Sequence, residues 1–430
     1  MDPSRHASTV QLDAEQEWTP SRVRRVATIT ISLLMGVWVI DYVDRVMMAM
    51  ALPFIGHEFD LTKTQQGALI TAFAVVYMLC QIPGGILADR FGARRLLVIS
   101  LVLWSVFTAL TGLVWGFLSL LVVRALFGVG QGLFPGASFK AMAERTPPGR
   151  RATAGGWMLA SNHLGSGIGP LLVAPILLAI GWRHTFWVIA IAGVGIGVLL
   201  WSLLPRALPP SVTGAEEHQR KAANTSVRTV LRSPSVWKFA ALFCSVNMLT
   251  YGMVTWVPSY LLEERGISLV KTGVLASIPL LVSSVCTLIS GWLFDRFFHS
   301  RARLFIIPVL LVAATLLVLM LNADTTGEFT LYQTLAMGVA GLAIMGVLGM
   351  PLNALPPAVV ASGMGVVNVG GQVAGVLAPV VMGWLVDQFS YTAAFGFLVV
   401  TTVTGAVLAL IVPQQPTDFD VSGTSRMERA

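Results

Sequence analysis

Charge is scarce in this chain. Only 11% of its 430 residues are Asp, Glu, Lys or Arg, against about 25% in soluble domains. Hydrophobic residues make up 55% and the mean hydropathy is +0.76, which excludes an ordinary soluble fold. Cysteine is nearly absent: Cys80, Cys244 and Cys286 stand singly in apolar stretches without metal-type spacing, so they read as small packing residues and not as redox or metal chemistry. No phosphate-cradling loop, metal cluster or nucleophile–base constellation occurs, so an enzyme is not expected and no cofactor is implied. Ten-residue alternating segments are missing too, which excludes a membrane barrel. The opening stretch MDPSRHASTVQLDAEQEW carries acids and lacks a short apolar core, so it does not read as a cleavable signal peptide.

What is present is a series of apolar runs, each about as long as the 20 residues a helix needs to cross a bilayer. Twelve are predicted, at 26–55, 65–88, 94–114, 117–142, 152–180, 184–205, 236–262, 270–294, 302–322, 330–352, 357–386 and 391–412. The formal net charge of +7 would suggest nucleic acid in a soluble chain, but here the basic residues are sorted by loop. Sixteen lie in or at the edges of the even-numbered gaps between runs and four (Lys63, Arg183, Arg265 and Lys271) in or at the edges of the odd-numbered gaps. Arg22, Arg24 and Arg25 precede the first run. Positive loops face the cytoplasm, so both termini are expected there and no nucleic-acid partner is expected. The lipid bilayer is the expected surround.

The longest connection, 206–235, is polar and Pro-rich and divides the runs six and six. The expected organisation is a tail at 1–25, a six-helix bundle at 26–205, a linker at 206–235, a second bundle at 236–412 and a tail at 413–430. The halves share landmarks. GGILADRFGARR follows the second run and SGWLFDRFFHSRAR the eighth, with Asp89 and Asp295 separated by 206 positions. Pro170 and Phe186 recur as Pro379 and Phe395, each offset by 209. Parallel repeats of this kind place substrate between the halves near the bilayer midplane.

These residues resemble the major facilitator superfamily. Gly85, Asp89, Arg90, Gly92, Arg94 and Arg95 match its loop signature G-x3-D-[RK]-x-G-x-[RK]-[RK] in full, while the second copy keeps Gly291, Asp295 and Arg296 and has Phe298 at the glycine position. The resemblance implies alternating access, with this loop as a conformational gate that holds the outward-facing state.

The first run also carries charge where charge is costly. In VWVIDYVDRVMMAMALPF, Asp41, Asp44 and Arg45 share one helix face near the middle of an otherwise uncharged segment. The fourth run adds Arg124 and, seven residues on, Gln131, with Gly128, Gly130 and Gly132 permitting close helix contact. All three helix 1 charges are expected to point together into a cavity. Guanidinium offers a planar fork that matches a carboxylate, so Arg45 and Arg124 suit a bound organic anion. A buried carboxylate beside such a cation can change its proton affinity when substrate arrives. An ion pair that merely ties helix 1 to helix 4 is the structural alternative.

DYVDRVMMA, RALFGVGQG and WVPSYLLEERG look like the anion:cation symporter family, which includes proton-coupled sugar-acid carriers, sialin and the vesicular glutamate transporters. Its helix 1 reads roughly N-Y-x-D-R and its helix 4 R-x3-G-x-x-E-G. The resemblance implies Asp44 as a proton site and Arg45 and Arg124 as carboxylate ligands. Two departures stand out: the helix 4 acid is Gln131 and the helix 1 asparagine is Asp41. A proton site moved from helix 4 to helix 1 is one reading, and weakened coupling with anion exchange is the other.

His163 in helix 5, Asn247, Tyr251, Trp256, Ser259 and Tyr260 in helix 7, Asn353 in helix 10, and Asn368 and Gln372 in helix 11 are further pocket candidates. The expected protein is thus an all-α membrane protein of twelve transmembrane helices in two pseudo-symmetric six-helix bundles. It is expected to act as a monomer in a bacterial inner membrane, importing a small organic anion by proton symport, with protons as the coupling ion. An anion exchanger, a drug:proton antiporter and a non-transporting sensor are the alternatives.

Overall fold

The computed structural model describes residues 18–147, 150–209, 233–298, 301–354 and 360–413. Most of the expected tails and linker, and the side chains of Asp295 and Asn353, lie outside the described residues. The helices are α1 (Pro20–Glu58), α2 (Lys63–Phe91), α3 (Ala93–Thr111), α4 (Phe117–Ala143), then a segment Arg151–Leu203 that breaks at Gly181 into α5 (151–180) and α6 (182–203). They continue as α7 (Pro234–Glu263), α8 (Leu269–Leu293), α9 (Ala302–Leu321), α10 (Thr326–Ala354), α11 (Val360–Gln388) and α12 (Tyr391–Ile411). Among the described residues no strand occurs.

Local chemistry sets the breaks. Thr19 caps α1 by accepting a hydrogen bond from the Arg22 N–H, and Pro20 fills the first turn, where a missing N–H costs nothing. That cap carries α1 six residues beyond the start at Val26 expected from hydropathy. Thr62 and Gln65 form a reciprocal capping box on α2. Gly92 separates α2 from α3 at φ 85°, and Gly181 separates α5 from α6 at φ 75°, both in the region that favours glycine.

Eleven helices are long and apolar enough to cross a membrane among the described residues. The longest, Ala154–Leu203, is far longer than a single crossing needs. It doubles back at Gly181: Arg183 donates to the Gly112 and Val114 carbonyls at the end of α3, and Arg94 at the start of α3 donates to the Trp201 carbonyl. With that break the long helices among the described residues number twelve.

In residues 20–208, α2 packs on α4, α1 on the α5–α6 segment, and α3 on α4 and that same segment. In residues 233–413 the pairings recur as α8 on α10, α7 on α11 and α12, and α9 on α10 and α12. Small residues allow the close approaches. A Cβ at Gly128, Gly130 or Gly132 would lie 2.8 Å from the Phe73 carbonyl, 2.7 Å from the Trp104 nitrogen and 2.6 Å from the Cys80 Cβ respectively. The α4 glycines therefore seat α2 and α3.

The two segments meet through α2 on α11, α5–α6 on α8, and α1 on α7. Their polar links gather at one end. Lys63 Nζ pairs with Glu263 at 2.5 Å, and Tyr391 Oη donates to Glu263 at 2.7 Å. Asp387 at the end of α11 accepts the Lys63 N–H at 2.7 Å and the Thr64 N–H at 2.6 Å, so it caps the start of α2 across the interface. Further along, Thr71 Oγ1 donates to the Val376 carbonyl at 2.6 Å, and α2 and α11 touch at Gly67 and Gly383.

Candidate functional site

A cavity of about 250 Å³ lies between the two segments. From residues 20–208 it is lined by Tyr42, Arg45, Phe73, Arg124, Phe127 and His163. From residues 233–413 it is lined by Asn247, Thr250, Tyr251 and Thr255 of α7 and by Ser283 and Ser284 of α8. One wall is therefore cationic and aromatic, and the other carries hydroxyls and an amide.

Arg45 stands in a box of rings. Its guanidinium carbon lies 4.9 Å from the Tyr42 centroid, 5.3 Å from Phe73 and 4.4 Å from Tyr77. Rings hold the planar cation without neutralising it. Its charge partner is Asp41, with Nη2 3.1 Å from Oδ2 one helical turn away. Arg124, 2% exposed, stacks at 4.4 Å on Phe127 and 5.3 Å on Phe186, and Nη2 donates to Thr111 Oγ1 at 2.6 Å. The acid whose field acts on Arg124 is Asp44.

The expectation that Asp41, Asp44 and Arg45 all face the cavity is corrected: only Arg45 does. Asp44 is fully buried and turned toward α3, where it accepts Trp104 Nε1 at 2.5 Å and Thr108 Oγ1 at 2.7 Å. Two donors on a neighbouring helix outweigh the shared helix face. Asp41 is also fully buried, behind Arg45. Gln131 is fully buried and does not line the cavity.

His163, Asn247 and Tyr251 line the cavity. Asn368 and Gln372 do not. The face of α11 that packs on α7 carries Gly370, Gly371, Ala374 and Gly375; Asn368 is exposed beside its edge and Gln372 is half-buried off it. Trp256 is fully buried and donates to the Pro379 carbonyl at 3.0 Å, Ser259 is fully buried off the cavity, and Tyr260 accepts from Arg265 at 2.7 Å in an aromatic cluster at the end of α7. The stripe missed in sequence is Thr250, Thr255, Ser283 and Ser284. Spacing from Asn247 through Thr250 and Tyr251 to Thr255 follows a helix face, and that periodicity is the signal that marks it.

At the end opposite the Lys63–Glu263 link, the gate loop makes contacts within residues 20–208. Asp89 is exposed and pairs with Lys140 Nζ at 2.9 Å, Arg90 lies 5.5 Å from the Phe91 ring, and Arg94 lies 4.9 Å from the Trp201 ring. Arg95 and Arg296 are exposed, and Gly85 sits against Gly136 of α4.

Known proteins match this architecture. The family profile of the Major Facilitator Superfamily covers residues 34–360. The hexuronate transporter of Bacillus subtilis is 31% identical over 376 residues, spanning 83% of this chain and 87% of that protein. A probable sulfoacetate transporter of Cupriavidus necator is 30% identical, spanning 89% and 94%. The D-galactonate transporter of Escherichia coli is 28% identical, spanning 91% and 96%. A crystal structure of a bacterial homolog of the human lysosomal transporter Spinster, inward-facing and occupied, superposes with a TM-score of 0.77 at 17% identity, covering 89% of this chain and 95% of that one. All of these relatives carry transporter names, and the profile spans the helices that build the cavity: the chain belongs to the Major Facilitator Superfamily.

Proposed function

We infer that the protein imports a hydroxylated organic anion by proton symport, its two six-helix bundles rocking about the cavity in a bacterial inner membrane with both termini in the cytoplasm. The observation that carries this reading is the presence of two cavity-lining arginines, Arg45 ion-paired with the buried Asp41 and Arg124 in the field of the buried Asp44. A carboxylate substrate completes the cationic wall, and its hydroxyls meet Thr250, Thr255, Ser283 and Ser284. Relatives named for hexuronate and D-galactonate support that chemistry. His163, Asn247 and Tyr251 act as further substrate contacts, and Asp44 and Asp41 as proton sites.

The test is internal pH in dye-loaded proteoliposomes of the purified protein, with acids added singly from outside and protein-free vesicles correcting for passive entry. Protein-dependent acidification by hydroxylated monocarboxylates, and not by unhydroxylated ones of similar size, is expected. Counterflow of a labelled acid without acidification would make the protein an exchanger.

In this reading the closed end is periplasmic and the cavity communicates with the cytoplasm, so the Asp89 loop is disengaged from the second bundle. The Asp387 cap on α2 then holds the closed end together. A charged hydrogen bond of this kind contributes about 1.5–3 kcal/mol. Asp387→Asn is expected to raise the outward-open population roughly 10-fold or more, read as a longer-distance component between spin labels at Asp60 and Phe389. An unchanged distance distribution would remove Asp387 from the gate.

A further inference from the structure

Asp41 and Gln131 are fully buried; Gln131 has no hydrogen-bond partner on either polar atom, and Asp41 has its ion pair with Arg45 but no neutral donor or acceptor for a protonated form. Arg45 lies 3.1 Å from Asp41 Oδ2, and the like charge of Asp44 on the same helix also acts on Asp41. Unpartnered buried groups cost about 1–3 kcal/mol each, and native interiors satisfy nearly all of them. Neither residue lines the cavity, so a partner is sought within the protein.

Helix register brings the two together. Trp38 Nε1 donates to Ser138 Oγ at 3.0 Å and the Trp38 ring lies 4.9 Å from Phe134. Six residues further along α1, Asp44 feels Arg124 as its strongest cationic neighbour. Helices α1 and α4 therefore run antiparallel, with 38 beside 134–138 and 44 near 124. Asp41 is three residues on from Trp38 and Gln131 three residues back from Phe134, each a rise of about 4.5 Å, so both stand at one level.

We propose that Gln131 is the positioning residue that holds the protonated form of Asp41, in an acid–amide pair. The carboxyl O–H donates to Gln131 Oε1 while Nε2 donates to the other Asp41 oxygen, matching one donor and one acceptor on each side. The proton comes from cavity water and binds an Asp41 oxygen, which then leaves Arg45. Arg45 keeps its charge and takes the incoming carboxylate. One proton and one negative charge enter, so the buried charge is unchanged.

The other groups around Asp41 leave this role to Gln131. Tyr42 and Arg45 on α1, Tyr77 on α2 and Tyr251 on α7 cluster at the arginine, Asp44 is held by α3, Arg124 belongs with Asp44, and His163 of α5 faces the cavity. A glutamate at 131 would compete for the same proton, whereas an amide cannot ionise.

This proposal rests on the reading of Arg45 as a carboxylate ligand, yet it is tested without transport. Infrared difference spectra of the full chain in nanodiscs are recorded between alkaline and acidic buffer, with and without glutamine labelled at its side-chain carbonyl carbon. A protonated-carboxyl band that vanishes in Asp41→Asn, together with a labelled glutamine band that changes in the same pH step and is lost in Gln131→Met, is expected. In Gln131→Met the Asp41 band should move to higher frequency. An Asp41 band indifferent to Gln131→Met, or no glutamine change in the unsubstituted protein, would overturn the pair. If the bands behave as expected while no acid is carried in proteoliposomes, the transport reading fails and the acid–amide pair stands.

Discussion

Arg124→Ala is expected to abolish anion binding and uptake. The guanidinium lines the cavity, is fixed by Thr111, Phe127 and Phe186, and lies in the field of Asp44. In this reading the substrate carboxylate forms the buried, hydrogen-bonded charge pair with Arg124, and truncating one member of such a pair costs about 2–5 kcal/mol, or roughly 30- to 4,000-fold in affinity. Arg124→Lys keeps the charge but loses the fork, so it should recover only part of that loss. Because Arg124→Ala also leaves Asp44 buried without its cation, the double variant Arg124→Ala with Asp44→Asn provides the control. It should regain thermal stability without regaining binding. Calorimetry on the purified protein decides the matter: affinity within about twofold of the unsubstituted protein would remove Arg124 from the substrate site.

Asp44→Asn is expected to separate exchange from accumulation. Asp44 accepts from both Trp104 and Thr108 and faces Arg124, so its carboxylate links the charge state of α1 to the position of α3 and to the substrate cation. An asparagine carbonyl can still accept from one of those donors but cannot take up or release a proton. Counterflow of labelled substrate should persist at a reduced rate, while uptake against a concentration gradient under a proton gradient should fall to equilibration. Stranding one donor should also lower stability by about 1–3 kcal/mol. Undiminished accumulation would remove Asp44 from the coupling and leave it a structural acid tying α1 to α3.

Hydropathy, loop charge and internal repetition are local or additive properties of a chain. They therefore placed twelve membrane passes, the turn near Gly181 and the signature loop from Gly85 to Arg95 without reference to packing. The arginines of the cavity were legible for a related reason: a cation in an apolar run is costly wherever the helix faces, so Arg45 and Arg124 announce a partner from sequence alone. Even the α4 glycines were readable as contact points, because no side chain can intervene at such positions.

Direction was not legible. Helical spacing puts Asp41, Asp44 and Arg45 on one face, but a face of a buried helix can meet several neighbours, and only α3 with Trp104 and Thr108 draws Asp44 away from the cavity. Asn368 and Gln372 share a face in the same way, yet the residues of α11 that meet α7 most closely are the glycines at 370, 371 and 375, and neither amide lines the cavity. The Asp387 cap on Lys63 and Thr64 joins residues more than 320 positions apart, and no local pattern encodes such a pairing. The sequence by itself determined which chemical groups lie at membrane depth, because burying charge has a cost that depends on composition. Tertiary structure alone decided which of them face the cavity, because that depends on which helix supplies the nearest donor.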